Sequence, residues 1–198
     1  MNPRRAALAT SYLEHIRIAL EAEDRGAPFR TFIDNWAAFS SRTDHHVTGG
    51  DRPKWFNNPC LRTRQAMLYS LDFRSEATEP VLEHARVAPA DYQARRAAKD
   101  KTVRLVVDHA VPIDVMVRMM FDPQSGQEVE RTVDAIGDHL ARWYRLGLLT
   151  PAEDAELNRA GLRSAMPAHW DRHSIFARYD AVGIVASRLQ PFEKRGAA

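Results

Sequence analysis

Histidine next to a carboxylate recurs along this chain, and that pairing is the raw material of acid–base and metal chemistry. Asp44-His45-His46, Glu83-His84, Asp108-His109 and Asp138-His139 are adjacent pairs, and His169 and His173 flank Asp171. Neutral imidazoles and carboxylates ligate divalent ions when they converge from separate parts of a chain. His169 and His173 are four residues apart, a spacing that shares one face of a helix, but no His-Glu-x-x-His pattern joins them. His45 and His46 point in opposite directions in extended chain, so at most one of them joins any one site. His139 falls beside an apolar helical stripe, where a solvated or hydrogen-bonded role is the expectation.

Other chemistries lack their motifs. There is no Gly-x-x-x-x-Gly-Lys-Ser/Thr phosphate loop, no Gly-x-Gly-x-x-Gly dinucleotide turn and no Gly-x-Ser-x-Gly nucleophile elbow. Cys60 follows Pro59 in an apolar setting, and free cysteine is among the most buried residue types, so it reads as inert.

Asp108-His109 stands out because it falls at the exit of the best strand candidate and is followed by Ala-Val-Pro. Residues 106–112 resemble the first motif of HNH-type nucleases. The resemblance implies that His109 activates water as general base and that Asp108 ligates a divalent metal ion. It further implies that His169 or His173 completes the metal set, and Arg95, Arg96, Lys99 and Lys101 become the matching phosphate contacts. That family continues with a hairpin and an asparagine, whereas here Pro112 permits a helix at once and the next asparagine is Asn158. The alternative is structural: His109 holds the strand-to-helix turn through a hydrogen bond to backbone. A short echo, Glu83-His84 against Asp108-His109 with proline following each, is the nearest approach to an internal repeat.

The elements that must position these residues are mainly helical. Leu8, Tyr12, Ile16 and Leu20 recur at helical spacing, predicting a helix that ends near Asp24 with Gly26 as its cap. Pro28 opens a second helix in which Phe29, Phe32, Ile33, Trp36 and Phe39 form an aromatic face, read as core rather than as a base-stacking platform. Residues 41–59 have no periodicity and form a long loop anchored by Trp55-Phe56. Leu61, Leu68 and Leu71 predict a helix ending around Phe73, and residues 75–100 are helical in patches, notably Asp91 to Lys99.

Residues 102–107, Thr-Val-Arg-Leu-Val-Val, are the single predicted strand. A helix follows Pro112, with Ile113, Val117 and Met120 or Phe121 on one face, and ends at Asp122-Pro123. Val129, Val133, Ile136, Leu140 and Trp143 form the clearest stripe, continuing toward Leu146, to be buried in the chain's own core or against a second copy. Thr150-Pro151-Ala152-Glu153 is a capping box with proline at the first helical position, predicting a helix from Pro151 to about Ala160 that stops at Gly161. The tail from Met166 to Ile184 is irregular but apolar enough to dock, and residues 193–198 are expected to fray.

The fold expectation is therefore one mainly α domain of six to eight helices with at most a small β element around residues 102–107, which suits 198 residues. Cys60 is the only cysteine, so no intrachain disulfide is possible and a reducing, cytoplasmic setting is expected. No apolar run approaches the ~20 residues needed to span a bilayer, and the N-terminus leads into an amphipathic helix rather than a signal region. Net charge is only +2, yet residues 86–104 carry six bases against two acids while 122–156 carry eight acids against three bases. That polarity fits a protein or nucleic-acid partner, and an interaction protein acting through it is the leading reading. A metal-dependent nuclease using Asp108 and His109 is the alternative.

Overall fold

The computed structural model describes residues 3–40, 72–122 and 129–188. The expectations for the loop at 41–59, for the leucine helix through Leu61, Leu68 and Leu71, and for the tail at 193–198 lie outside the described residues. Within them the chain is mainly α with a small sheet: eight α-helices accompany four short strands.

Helix α1 (Pro3–Glu21) and helix α2 (Phe29–Ser40) bury Leu13, Ile16 and Leu20 of one against Phe29, Ile33, Trp36 and Phe39 of the other. Tyr12 stacks on Phe39 at 5.9 Å and His15 meets Phe32 at 5.4 Å, so the two run antiparallel as a helical hairpin. The turn between them differs from expectation. Glu23, not Gly26, takes the left-handed conformation (φ 52°), and the amides of Glu23 and Asp24 close back on Leu20 and Ala19. Gly26 instead donates its amide to the Asp24 carboxylate at 3.0 Å. The Glu23 and Asp24 bonds satisfy carbonyls that a helix end leaves open.

The sheet has the order β2-β3-β1-β4, with β1 (Phe73–Ser75), β2 (Val106–His109), β3 (Leu146–Leu149) and β4 (Ala186–Arg188). β1 and β3 are parallel, with Phe73 opposite Gly147; the other two pairs are antiparallel. Three expectations shift here. Phe73 begins a strand instead of ending a helix, Leu146 belongs to β3 rather than to the striped helix, and the predicted strand slides from 102–107 to Val106–His109. The slide has a local cause: Asp100 accepts the Thr102 amide at 2.8 Å and winds Lys101–Val103 into a 3-10 turn.

Helices α3 (Glu79–Val87) and α4 (Pro89–Ala97) pack on one another after β1, α5 (Ile113–Phe121) follows β2, and α6 (Val133–Trp143) precedes β3. The stripe on α6 is consumed internally: Ile136, Leu140 and Trp143 are buried in the main core, with Val129 and Val133 packed against it. A Cβ on Gly137 of this helix would sit 3.3 Å from Leu13 of α1. Three of the five stripe residues expected to meet a second copy are therefore covered by the chain's own core, and Val129 and Val133 stay partly exposed. The capping box forms as the sequence predicts: Thr150 accepts the Glu153 amide, Glu153 reaches back to the Thr150 amide, and α7 (Pro151–Arg159) ends at Gly161 with φ 73°. The last helix, α8 (Ala177–Asp180), sits in the docked tail. Among the described residues no helix is long and apolar enough to cross a membrane.

Two apolar clusters lie against the sheet, and residues of β3 alternate between them. Leu146 and Leu148 join the main core of α1, α2, α5 and α6, while Leu149 joins Phe73, Leu157, Leu162, Tyr179 and Ile184 in the second. This period-two alternation is the pleat of a strand covered on both faces.

Candidate site at Asp108 and His109

Asp108 pairs in register with Gly147 and His109 with Leu146, so the same alternation governs both. Successive side chains of a strand leave on opposite faces. Adjacent in sequence, the two residues are divided by the sheet they belong to.

Asp108 faces the second cluster. There its Oδ2 accepts the Tyr179 hydroxyl at 2.6 Å and pairs with the Arg178 guanidinium. Arg178 is only 1% exposed and also donates to the carbonyls of Ala110 (3.0 Å), Leu162 (2.8 Å) and His109. A buried guanidinium needs both a counter-charge and acceptors for its remaining N–H groups, and this one has them. Burial, reinforced by the charge of Asp108, raises the Tyr179 phenol well above its ordinary value and keeps it a donor.

His109 faces the main core. Its Nε2 lies 3.3 Å from Oδ1 of Asp34 on α2, and since a carboxylate only accepts, Nε2 carries the proton of that contact. The Tyr144 hydroxyl donates to the same oxygen at 3.1 Å. The Tyr144 ring stands edge-on to both His109 (5.1 Å) and Trp36 (6.2 Å), and burial, then Asp34, raises its phenol far above the ordinary range. Arg30 approaches the other carboxylate oxygen of Asp34 at 3.8 Å. The backbone bond expected of a structural His109 is thus replaced by a side-chain carboxylate from 75 residues away.

This arrangement orients an imidazole against a carboxylate, which is half of an acid–base device. The hydroxyl beside it, Tyr144, is held protonated and is no nucleophile. Both His109 and Asp34 are largely covered, with side chains 15% and 14% exposed.

The remaining sequence candidates are spread apart. His169 and His173 are exposed in an irregular stretch outside any helix, where His173 donates its amide to Asp171 at 2.8 Å. Among the described residues no three of His, Cys, Asp and Glu gather into a group able to hold a metal ion, so Asp108, His169 and His173 do not form the expected set. His139 bonds to the Met116 carbonyl at 3.2 Å, and burial lowers its pKa. His84 pairs with Asp91 at 2.7 Å.

In the basic segment, Arg95 is bound locally to Asp100 (2.8 Å) and Thr102 (2.9 Å), whose hydroxyl and amide, together with Arg95, hold Asp100 at about 2. Arg96 lies over the Tyr92 ring at 6.0 Å, while Lys99 and Lys101 are exposed. Lys99 adopts the left-handed conformation that ends α4 (φ 59°).

Sequence reasoning missed Asp34, Tyr144, Arg178 and Tyr179. A signal existed for Arg178: an arginine inside the apolar run Ile175-Phe176-Ala177-Arg178-Tyr179 requires a buried acid somewhere in the chain. Asp34, next to Ile33 in an aromatic helix, asked the same question of its own charge. Comparison of the chain with protein-family models, with curated proteins and with solved structures gave no match.

Proposed function

We propose that this chain is a non-catalytic interaction protein that engages an acidic partner, protein or nucleic acid, through its basic segment. The observation that carries this reading is the division of Asp108 from His109 by the pleat, with Asp108 engaged by Tyr179 and Arg178 and His109 by Asp34. A hydrolytic site needs its metal ligand and its base on one side of the scissile bond. Lys99 and Lys101, exposed beside the 3-10 turn, supply contacts that Arg95 does not.

Two measurements test it together. Wild-type protein incubated with supercoiled plasmid and with a short RNA, in magnesium, manganese or zinc, is expected to leave both intact; cleavage lost in His109→Ala overturns the proposal. A labelled DNA duplex and an acidic peptide are then titrated at low salt. At least one is expected to bind, with affinity falling as salt rises by a log–log slope of about −0.9 per phosphate contact on the duplex. Binding of neither probe also overturns it.

A further inference from the structure

A cleft of about 350 Å³ opens between the start of α2 and the length of α5, and three arginines line it: Arg25, Arg30 and Arg118. Its one acidic lining residue is Asp114. From these groups we infer a binding site for a small phosphomonoester. The site is independent of the interaction proposed above.

The charge balance is the first argument. Among the described residues Arg25 and Arg118 enter no ion pair, and Arg30 reaches only the far oxygen of Asp34 at 3.8 Å. Arg25 is held at the rim by stacking over the Phe121 ring, 4.7 Å from its centre, and Arg118 bonds back to the Asp114 carbonyl at 3.3 Å. Both guanidinium groups therefore have restricted positions while keeping N–H donors for a ligand. Cations sharing one cleft repel, and a doubly charged oxyanion relieves that repulsion while matching the planar fork of arginine.

Backbone polarity adds to it. Phe29 and Arg30 open α2, Ile113 and Asp114 open α5, and all four line the cleft. The first turn of α2 therefore brings the positive end of its dipole to the cleft, whereas α5 lines it along its length, through Arg118 and Phe121 in its last turn. α2 has no acid in its first turn, and the cation Arg30 stands there against the dipole; α5 starts after Pro112 with no side-chain cap.

Size and lining fix the class of ligand. The volume lies at the lower end of the range for small-molecule pockets. Phe29, Val117 and Phe121 give one apolar wall beside the arginines. A single phosphate ester carrying a small apolar or planar group fits, and a polymer does not enter.

Isothermal titration of the full chain with phenyl phosphate, inorganic phosphate and benzyl alcohol is the test. Saturable binding is expected in the order phenyl phosphate, then phosphate, with none for the alcohol. Arg118→Gln and Arg25→Gln, both at exposed positions, are each expected to weaken phenyl phosphate at least tenfold, and Asp114→Asn to tighten it. Circular dichroism of each variant verifies the fold. A 5′-phosphorylated dinucleotide against its unphosphorylated form separates a phosphate terminus from a free ester as the source. Absence of saturable binding by phenyl phosphate, or equal affinity in wild type and a folded Arg118→Gln protein, overturns the site.

Discussion

His109 Nε2 lies 3.3 Å from Asp34 Oδ1, and the Tyr144 hydroxyl shares that oxygen, so one carboxylate of α2 satisfies two groups brought from elsewhere. Tyr144→Phe removes one donor and leaves Asp34 with His109, for an expected loss of about 1 kcal/mol. Asp34→Ala strands both donors and is expected to cost more, about 2–4 kcal/mol for the two together. Urea unfolding of the two variants gives the comparison. If Tyr144→Phe proves the more damaging, the shared oxygen is not the hub of this cluster.

Arg178→Met leaves the Asp108 carboxylate partly covered with no counter-charge and frees the carbonyls of Ala110 and Leu162. Breaking a buried pair from one side costs about 3–5 kcal/mol, a large share of the stability of an average domain. Adding Asp108→Asn removes the stranded charge and is expected to restore part of the loss. A double variant as unstable as the sum of its parts contradicts the coupling.

Burial lowers the pKa of His139, so the unfolded chain binds this proton more readily than the folded one. Stability from the neutral imidazole is complete above the ordinary histidine value of about 6.5 and declines as pH falls below it. The melting temperature is expected to drop between pH 7 and pH 5, and His139→Gln, which keeps a donor for Met116, to flatten that slope. Equal slopes in both proteins reject the assignment.

Gly147 lies opposite Phe73 at the centre of the sheet, and a Cβ placed there would sit 2.2 Å from the Phe73 ring. Phe73 is fully buried, so the ring has no open side to move into. Gly147→Ala is expected to destabilise by about 1–3 kcal/mol or more through overpacking. Thermal melts of Gly147→Ala alone and with Phe73→Leu provide the check, the second change relieving the first.

What could be read from the sequence was local. The box at Thr150 and Glu153 closes within four residues, and the stop at Gly161 needs only one backbone angle, so both are written where they act. The α6 stripe was legible as periodicity, and its burial followed once α1 was beside it. β3 was not legible, because Leu-Gly-Leu-Leu covered on both faces has no alternation and reads as an extension of the preceding stripe. β1 is three residues long and is a strand only because β3 and β4 flank it. The polar clusters were hidden for the same reason: Asp34 meets Tyr144 across 110 residues and Asp108 meets Tyr179 across 71, distances over which no spacing rule operates.

The order β2-β3-β1-β4 also dictates a timetable. β1 is made early but pairs only with strands made later: Asp72, at its start, receives the Leu146 amide from 74 residues downstream, and its other neighbour ends at Arg188. On the ribosome the α1–α2 hairpin is complete first, with Leu13 waiting for α6 to cover it. Contacts this distant slow folding and leave apolar surface open in the interval. Nascent chains arrested before residue 146 should therefore be sticky, protease-sensitive and dependent on chaperones, and extension through β3 and β4 should convert them in one step to the closed fold.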